Sequence, residues 1–273
     1  MNKMLNKFGT QRHYAWESRD AESFLLQGSH SELLQLASDD SVDCVWTDPP
    51  YFLSNGGTTC RAGRRTNVNK GEWDESKGLS LDHKFNLEWL EECFRILKPS
   101  GTIWVSGTHH VYLSVGMAMK QIGFRVLNDI IWEKPNPPPN LGCRCFTHST
   151  EIILWAEKPN PRGKDKHTFN YHDMKHINQG KQMKNVWRLT APKKLEKKHG
   201  RHPTQKPLDL IERALLASTS PGDVVMDPFA GTASTGVAAI RCSRNFMGTE
   251  IDPKYVEIAV KRLREIDENE TTS

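Results

Sequence analysis

Val42-Asp43-Cys44-Val45-Trp46-Thr47-Asp48-Pro49-Pro50-Tyr51 opens as an apolar, β-branched run and stops at two prolines. Proline lacks a backbone donor and fixes φ, so a pair of them ends a central strand. The spacing therefore predicts a strand over Val42 to Thr47, with Asp48 at its carboxyl tip. The pattern recurs late in the chain. Asp223 to Met226 (DVVM) reads as a strand ending at Asp227-Pro228, and Ser234 to Cys242 as the helix after it. Around these two tips the elements alternate. Phe85 to Leu97 carries a helical stripe (Phe85, Trp89, Leu90, Cys93, Phe94, Leu97) closed by Pro99 and Gly101. Thr102 to Val105, Phe124 to Trp132, Glu151 to Ala156 and Asn245 to Thr249 read as strands, and Val111 to Ile122, Leu208 to Ser218 and Pro253 to Ile266 as helices. Strand alternating with helix implies an α/β chain with a mostly parallel sheet covered on both faces, and its chemistry beyond the carboxyl ends of the strands.

The 273 residues suffice for one large α/β domain, and 37% hydrophobic with 26% charged residues is too apolar for a disordered chain. No apolar run approaches the roughly 20 residues that cross a bilayer. Met1 to Thr10 is polar and lacks a signal core, so the expectation is a cytoplasmic protein with no membrane role. Cys44, Cys60, Cys93, Cys143, Cys145 and Cys242 show no metal-ligand spacing, and no metal is expected. The net charge of +4 says little, but its distribution says more. Between Gly163 and Arg201 eleven Lys and Arg stand against three acids, a basic stretch that is either a solvated face or a surface for a polyanion. That stretch and Phe52 to Trp73, rich in Gly, Asn, Thr and Arg, break the alternation and read as long loops, which in a compact domain are usually functional or disordered.

Two motifs carry chemistry. In Asp48-Pro49-Pro50-Tyr51 a carboxylate and the Pro49 carbonyl stand side by side as acceptors, able to hold the N–H groups of an amine whose lone pair must be made available. Tyr51 beside them can lie flat against a planar ring. In Asp227-Pro228-Phe229-Ala230-Gly231-Thr232-Ala233-Ser234 small residues lead from a strand into a helix, so a ligand can approach backbone N–H groups at the helix start. This is neither a G-x-G-x-x-G nor a G-x-x-x-x-G-K-[ST] signature, which removes support for NAD and ATP. Glu250 ends the next strand, about where nucleotide-binding α/β folds place an acid for the ribose hydroxyls. The bland readings are an Asp-Pro turn with a half-buried tyrosine, and a surface glutamate. Trp16, Trp46, Trp89, Trp104, Trp132 and Trp155 read as core.

Together these motifs resemble the amino-methyltransferases of restriction–modification systems. Asp48 to Tyr51 looks like their catalytic motif, Asp227 to Ser234 like their cofactor motif, and His202-Pro203-Thr204-Gln205-Lys206-Pro207 like the segment beside the cofactor's methionine end. The catalytic motif comes first, with the basic segment between, as in the circularly permuted β class. Asp48 to Gly57, Lys70-Gly71-Glu72-Trp73-Asp74 and Phe146-Thr147-His148-Ser149-Thr150-Glu151 resemble the DpnA-like branch. The resemblance, from about Leu25 to Leu263, implies a Rossmann-like, mixed seven-stranded sheet with one reversed strand. It implies S-adenosylmethionine as cofactor, DNA as substrate, a companion restriction endonuclease and a homodimer. Residues 1–158 would then form the catalytic half, 159–201 a basic target-recognition insertion, 202–266 the cofactor half and 267–273 a disordered tail.

The residues so implicated are Asp48, Pro49, Pro50 and Tyr51 for catalysis. For the cofactor they are Ser29, Asp48, Thr204, Gln205, Lys206, Asp227, Phe229, Ala230, Gly231, Thr232, Ser234 and Glu250. For DNA they are Arg61, Arg64, Arg65 and Lys70 after the catalytic motif, and Lys181, Lys184, Arg188, Lys193 and Lys194 in the basic segment. Asn170, Tyr171, Asn178, Gln179 and Asn185 are candidates for base edges. The chain departs from the family twice. Ala233 replaces a glycine, which is harmless if its φ is negative. Ser29 stands where an acid often binds the adenine edge, with Asp20 near enough to compensate. Adenine N6 is the expected target, because the family's cytosine N4 enzymes lean towards serine where this chain has Asp48. Cytosine N4 methylation, an RNA or protein-amine methyltransferase, and a non-catalytic DNA-binding protein of the same fold are the competing readings.

Overall fold

The computed structural model describes residues 14–54, 58–61, 64–67, 74–163 and 166–270; for 58–61, 64–67 and 269–270 it describes the backbone only. The Val42–Thr47 run forms β3, with every residue but Asp43 buried, which requires cover on both faces. It receives that cover as the fifth strand of a nine-stranded sheet. From one edge the order is β1 (Trp16–Glu17), β2 (Phe24–Gln27), β11 (Asn245–Glu250), β10 (Val224–Asp227) and β3. Beyond β3 lie β6 (Leu97–Gly107), β8 (Thr150–Glu157), β7 (Arg125–Glu133) and β9 (Val186–Arg188). Strands β2, β11, β10, β3 and β6 pair in parallel, and β8 runs antiparallel to both of its neighbours.

Side chains alternate across this sheet into two cores. Cys44, Trp46, Trp104 and Val225 face α5 (Leu208–Ser218), α6 (Ser234–Arg241) and α7 (Pro253–Glu270). Val45, Ile103, Val105 and Met226 face α1 (His30–Leu36), α2 (Leu79–Ile96) and α3 (Tyr112–Ile122). The six tryptophans expected in the core are buried, and Trp104 and Trp155, paired across β6 and β8, stack with ring centroids 4.7 Å apart. Among the described residues no helix is long and apolar enough to cross a membrane.

The sheet differs from the expected seven strands by two short edge additions. β1 pairs antiparallel with β2, and β9 pairs in parallel with β7. Strands of two and three residues carry no readable periodicity. The basic stretch is therefore no detached excursion: it supplies β9 and α4 (Tyr171–Ile177), and buries Trp187 and Met174. The loop after Tyr51 likewise contains a hairpin, β4 (Thr58–Arg61) and β5 (Arg64–Asn67). The expected disordered tail is helical as far as Glu270, where α7 continues its turns through the acidic residues and Asp267 pairs with Arg19 at 4.0 Å. Residues 271–273 lie outside the described residues.

The turn from β10 into α6 holds the largest departure from expectation. Ala233 has φ +56° and ψ +42°, the left-handed region, where a Cβ crowds the following carbonyl. It is tolerated because the turn is held from outside: Arg262 of α7, itself buried, donates to the Thr232 carbonyl at 2.5 Å and to the Thr232 and Ser234 hydroxyls at 3.0 and 3.1 Å. Removing the methyl relieves about 1–2 kcal/mol of backbone strain. It also gives up about 0.8 kcal/mol of buried methyl and adds freedom to the unfolded chain. Ala233→Gly should accordingly shift unfolding free energy by less than about 1 kcal/mol, whereas Ala233→Val, β-branched at positive φ, should lose more than about 2 kcal/mol in denaturant titration.

Candidate active site

Strands β3 and β10 are parallel neighbours, so their carboxyl tips emerge side by side although 180 residues separate them. Asp227 ties them together. Its buried carboxylate accepts from the Thr47 hydroxyl at 2.8 Å across the strands, from the Phe229 amide at 3.0 Å and from the Thr235 hydroxyl of α6 at 2.5 Å. Burial pushes this carboxyl up to about 7 against those hydrogen bonds. Its oxygens are taken up by the protein, so Asp227 shapes the ligand turn rather than offering a free carboxylate to a ligand.

One residue past the Thr47 anchor, Asp48 enters a buried charge network. Its Oδ1 accepts from the Tyr51 hydroxyl and its Oδ2 from the Lys206 ammonium. Lys206 also lies 3.6 Å from Glu151 Oε2 and 3.2 Å from the Thr204 carbonyl, which accepts from it, and Lys134 caps the other oxygen of Glu151. Burial alone would lower the Lys206 ammonium, but Asp48 and Glu151 outweigh it and hold it above its ordinary value. Glu151 is the converse: burial raises it, and Lys206 and Lys134 together bring it below the usual range. Two cations thus face two carboxylates. Tyr51, pushed well up by burial and then by Asp48 and Glu151, is a neutral phenol; its hydroxyl also sits 3.0 Å from Ser106 Oγ. The ring is only 5% exposed, so Tyr51 is not the open stacking platform expected of it, and Lys206 stands 5.2 Å over its face.

The turn through Tyr51 has an anchor that sequence reasoning passed over. Asp74 is fully buried; it accepts from the amides of Tyr51, Phe52 and Leu53 at 2.8, 2.9 and 3.2 Å and from the Ser54 hydroxyl at 2.9 Å. Successive amides wrapped on one carboxylate fix a turn in which Phe52 takes φ +57°. A lone Asp some twenty residues downstream carries no periodic signal. Glu151, which ends the Phe146–Glu151 stretch, and Lys134, just past β7, were given no role of their own, because neither carries a periodic signal.

Both tips open on one cavity of about 560 Å3. It is lined by Ser29, Asp48, Pro49, Pro50, Tyr51, Thr204, Gln205, Lys206, Asp227, Phe229, Ala230, Gly231, Thr232, Ser234 and Glu250, the complete set of expected catalytic and cofactor residues. One end is aromatic: His30 stacks on Phe229 at 4.9 Å, with Phe85 6.2 Å from Phe229, a packed apolar wall of the cavity. Burial lowers His30, which stays neutral there. Glu250 accepts from the Gly231 and Asp252 amides, both at 2.8 Å, and burial raises it. The Gln205 side-chain oxygen is buried and has no hydrogen-bond partner among the described residues, an acceptor matched to an ammonium. Ser29 differs from expectation: its hydroxyl caps α1 in a reciprocal box with Glu32 and lies 2.9 Å from Ser31 Oγ. Asp20 does not compensate, since it binds Ser18 and the Glu22 amide in the turn before β2.

The expected DNA contacts of the basic segment do not line the cavity. Lys181, Lys184, Arg188, Lys193 and Lys194 are all exposed, but Lys193 pairs with Asp209 at 2.9 Å and Arg188 with Glu133 at 3.6 Å. Arg61, Arg64 and Arg65 fall on β4 and β5, where only the backbone is described, and Lys70 lies outside the described residues. Of the base-edge candidates, Asn170, Asn178 and Asn185 spend their side-chain amides on backbone carbonyls, at 2.7–3.1 Å.

The N6/N4 family described as DNA methylase matches residues 42–261. The chain is 49% identical over 245 residues to the Type II methyltransferase M2.DpnII of Streptococcus pneumoniae, covering 89% of this chain and 90% of that one. It is 45% identical over 251 residues to M2.MboI of Moraxella bovis, covering 92% and 91%. Among solved structures it is similar to the M1.HpyAVI–SAM complex, with TM-score 0.64 and 28% identity over 88% of this chain and 98% of that one. It also shares the fold of the cytosine-N4-specific PvuII DNA methyltransferase, with TM-score 0.72 and 19% identity over 94% and 95%.

Two stability measurements check the anchors. Asp74→Ala strands three amides without their acceptor and should lower unfolding free energy by about 3 kcal/mol or more, with Asp74→Asn in between. Asp227 has a raised folded value, so its contribution to stability is complete at pH 4 and declines as pH climbs towards 7. Asp227→Asn lacks that decline. Its stability relative to wild type should therefore rise between pH 4.5 and pH 7.5; a constant difference would place the Asp227 ionisation elsewhere.

Proposed function

From the premise that the chain belongs to the N6/N4 DNA methylase family, we propose that it methylates adenine N6 at a specific DNA sequence, with the Asp48 and Asp227–Ser234 tips as its reaction centre. As a member of that family it is an S-adenosylmethionine-dependent DNA methyltransferase. The observation that carries the adenine reading is Asp48 at the head of the catalytic tetrapeptide, lining one cavity with the cofactor turn.

When bound, S-adenosylmethionine supplies an electrophilic methyl on a sulfonium. The chain's own residues do the rest. The free Gln205 oxygen accepts from the methionine ammonium, amides at the start of α6 face its carboxylate, and Glu250 takes the ribose hydroxyls. The aromatic wall of His30, Phe85 and Phe229 would meet the flat adenine ring of the cofactor. Asp48 and the Pro49 carbonyl accept the two N–H groups of the target amine, which draws its lone pair out of the ring. Asp48 also stabilises the positive charge that develops on the nitrogen. The Tyr51 phenol, neutral, orients Asp48. The exposed Lys181, Lys184 and Lys194 and the arginines of the β4–β5 hairpin meet DNA phosphates. A cognate restriction endonuclease, a cytoplasmic setting and a homodimer belong to the same reading, supported by relatives named Type II methyltransferases.

The test is nucleoside analysis of DNA treated with the purified protein and S-adenosylmethionine, with a GATC duplex as first substrate. N6-methyladenine is expected; N4-methylcytosine would reassign the base, and no methylated nucleoside would reject the reading. Asp48→Ala should bind S-adenosylmethionine with affinity within a few-fold of wild type and lose transfer by about 100-fold or more. Near-normal turnover would remove Asp48 from the mechanism.

A further inference from the structure

Both carboxylate oxygens of Asp48 are already engaged, one by the Tyr51 hydroxyl and the other by the Lys206 ammonium. Lys206 also stands over the Tyr51 ring, on a face that an incoming flat base would need. A target amine arriving under the proposed function therefore meets an occupied acceptor. A buried ammonium, only 4% exposed, does not leave its carboxylate without another to receive it. Glu151 is within reach. Its Oε2 lies 3.6 Å from Lys206 Nζ and 3.4 Å from the Tyr51 hydroxyl. A movement of about 0.8 Å would close the first of these to a charge-assisted hydrogen bond, and a further swing of the Lys206 side chain in the same direction takes its ammonium off Asp48. Ser106 Oγ, 3.0 Å from the same hydroxyl, offers the phenol a second partner.

We propose that Glu151 is a positioning residue that receives the Lys206 ammonium when the target amine enters, so that the Asp48 carboxylate becomes free only as its substrate arrives. The exchange moves no proton and breaks no covalent bond. The same two ammonium groups and two carboxylates are present before and after, so no net charge is buried or exposed. Lys134, bound to the far oxygen of Glu151, keeps that side chain ionised and aimed inward. Until the exchange occurs, both oxygens of Asp48 stay paired, one with Tyr51 and one with Lys206.

The proposal rests on the proposed function, and wild-type transfer to the duplex is the first arm of its test: no transfer there rejects that function itself. Given wild-type transfer, single-turnover rates and calorimetric titration with S-adenosylmethionine are compared across variants. Glu151→Gln should keep cofactor affinity within about twofold and slow transfer at least about 30-fold, because Lys206 stays on Asp48. In the double variant Glu151→Gln/Lys206→Met the ammonium seated on Asp48 is gone, and transfer should recover at least about tenfold over Glu151→Gln alone. A purely structural Glu151 would give no such recovery. Transfer by Glu151→Gln within about threefold of wild type overturns the proposal. So does a double variant that is no faster than the single one, or that no longer binds the cofactor. If Glu151→Gln does not fold, Glu151→Asp decides: it keeps the charge but shortens the reach, and should transfer about fivefold more slowly or worse, while an unchanged rate overturns the exchange.

Discussion

Asp227 is buried, and its carboxylate accepts three hydrogen bonds from three different parts of the fold. One crosses to Thr47 on the neighbouring strand, one closes the turn at Phe229 and one pins the first turn of α6. The carboxyl group stands raised by burial, so the protein spends stability near neutral pH to keep it there. That expenditure fixes the separation of two strand tips. Everything in the cavity, from the catalytic tetrapeptide to the small-residue turn, takes its position from this tie.

The cofactor turn shows how strain is carried by its surroundings. A left-handed alanine would relax if the turn were free. Arg262 of α7 prevents this by gripping the carbonyl and two hydroxyls on either side of Ala233. Burial lowers the Arg262 guanidinium to about 10, still charged at neutral pH. Its hydrogen bonds to a carbonyl are correspondingly strong.

The active centre is electrostatically closed. Asp48, Glu151, Lys206 and Lys134 sum to no net charge in a dry pocket, where an unpaired member would be costly. Such a set can rearrange internally more cheaply than it can lose a member. The basic segment follows another logic. It is stitched to the sheet edge through β9 and Trp187, and part of its charge is spent on Asp209, Glu133 and Glu265. What remains exposed is a fixed surface rather than a loose arm.

The alternation of strands and helices and the two Asp-Pro tips were legible in the linear chain, because they rest on local periodicity and on proline and glycine chemistry, whereas Ser29 and Thr204 to Lys206 were reached through the family resemblance. The residues that act from a distance were not legible there. Asp74 serves Tyr51 from 23 positions away, Glu151 serves it from 100, and Arg262 holds Thr232 from 30. The family-like stretches that end in Asp74 and Glu151 mark where they stand, but nothing local says which group each one holds. The sign of φ at Ala233, the diversion of Ser29 to a helix cap and the pairing of Lys193 with Asp209 were likewise settled by packing. Local sequence sets which backbone shapes are cheap. Which buried charge finds which partner depends on the three-dimensional arrangement of strands, since only there do groups far apart in the chain share a medium poor enough in water for their attraction to decide the geometry.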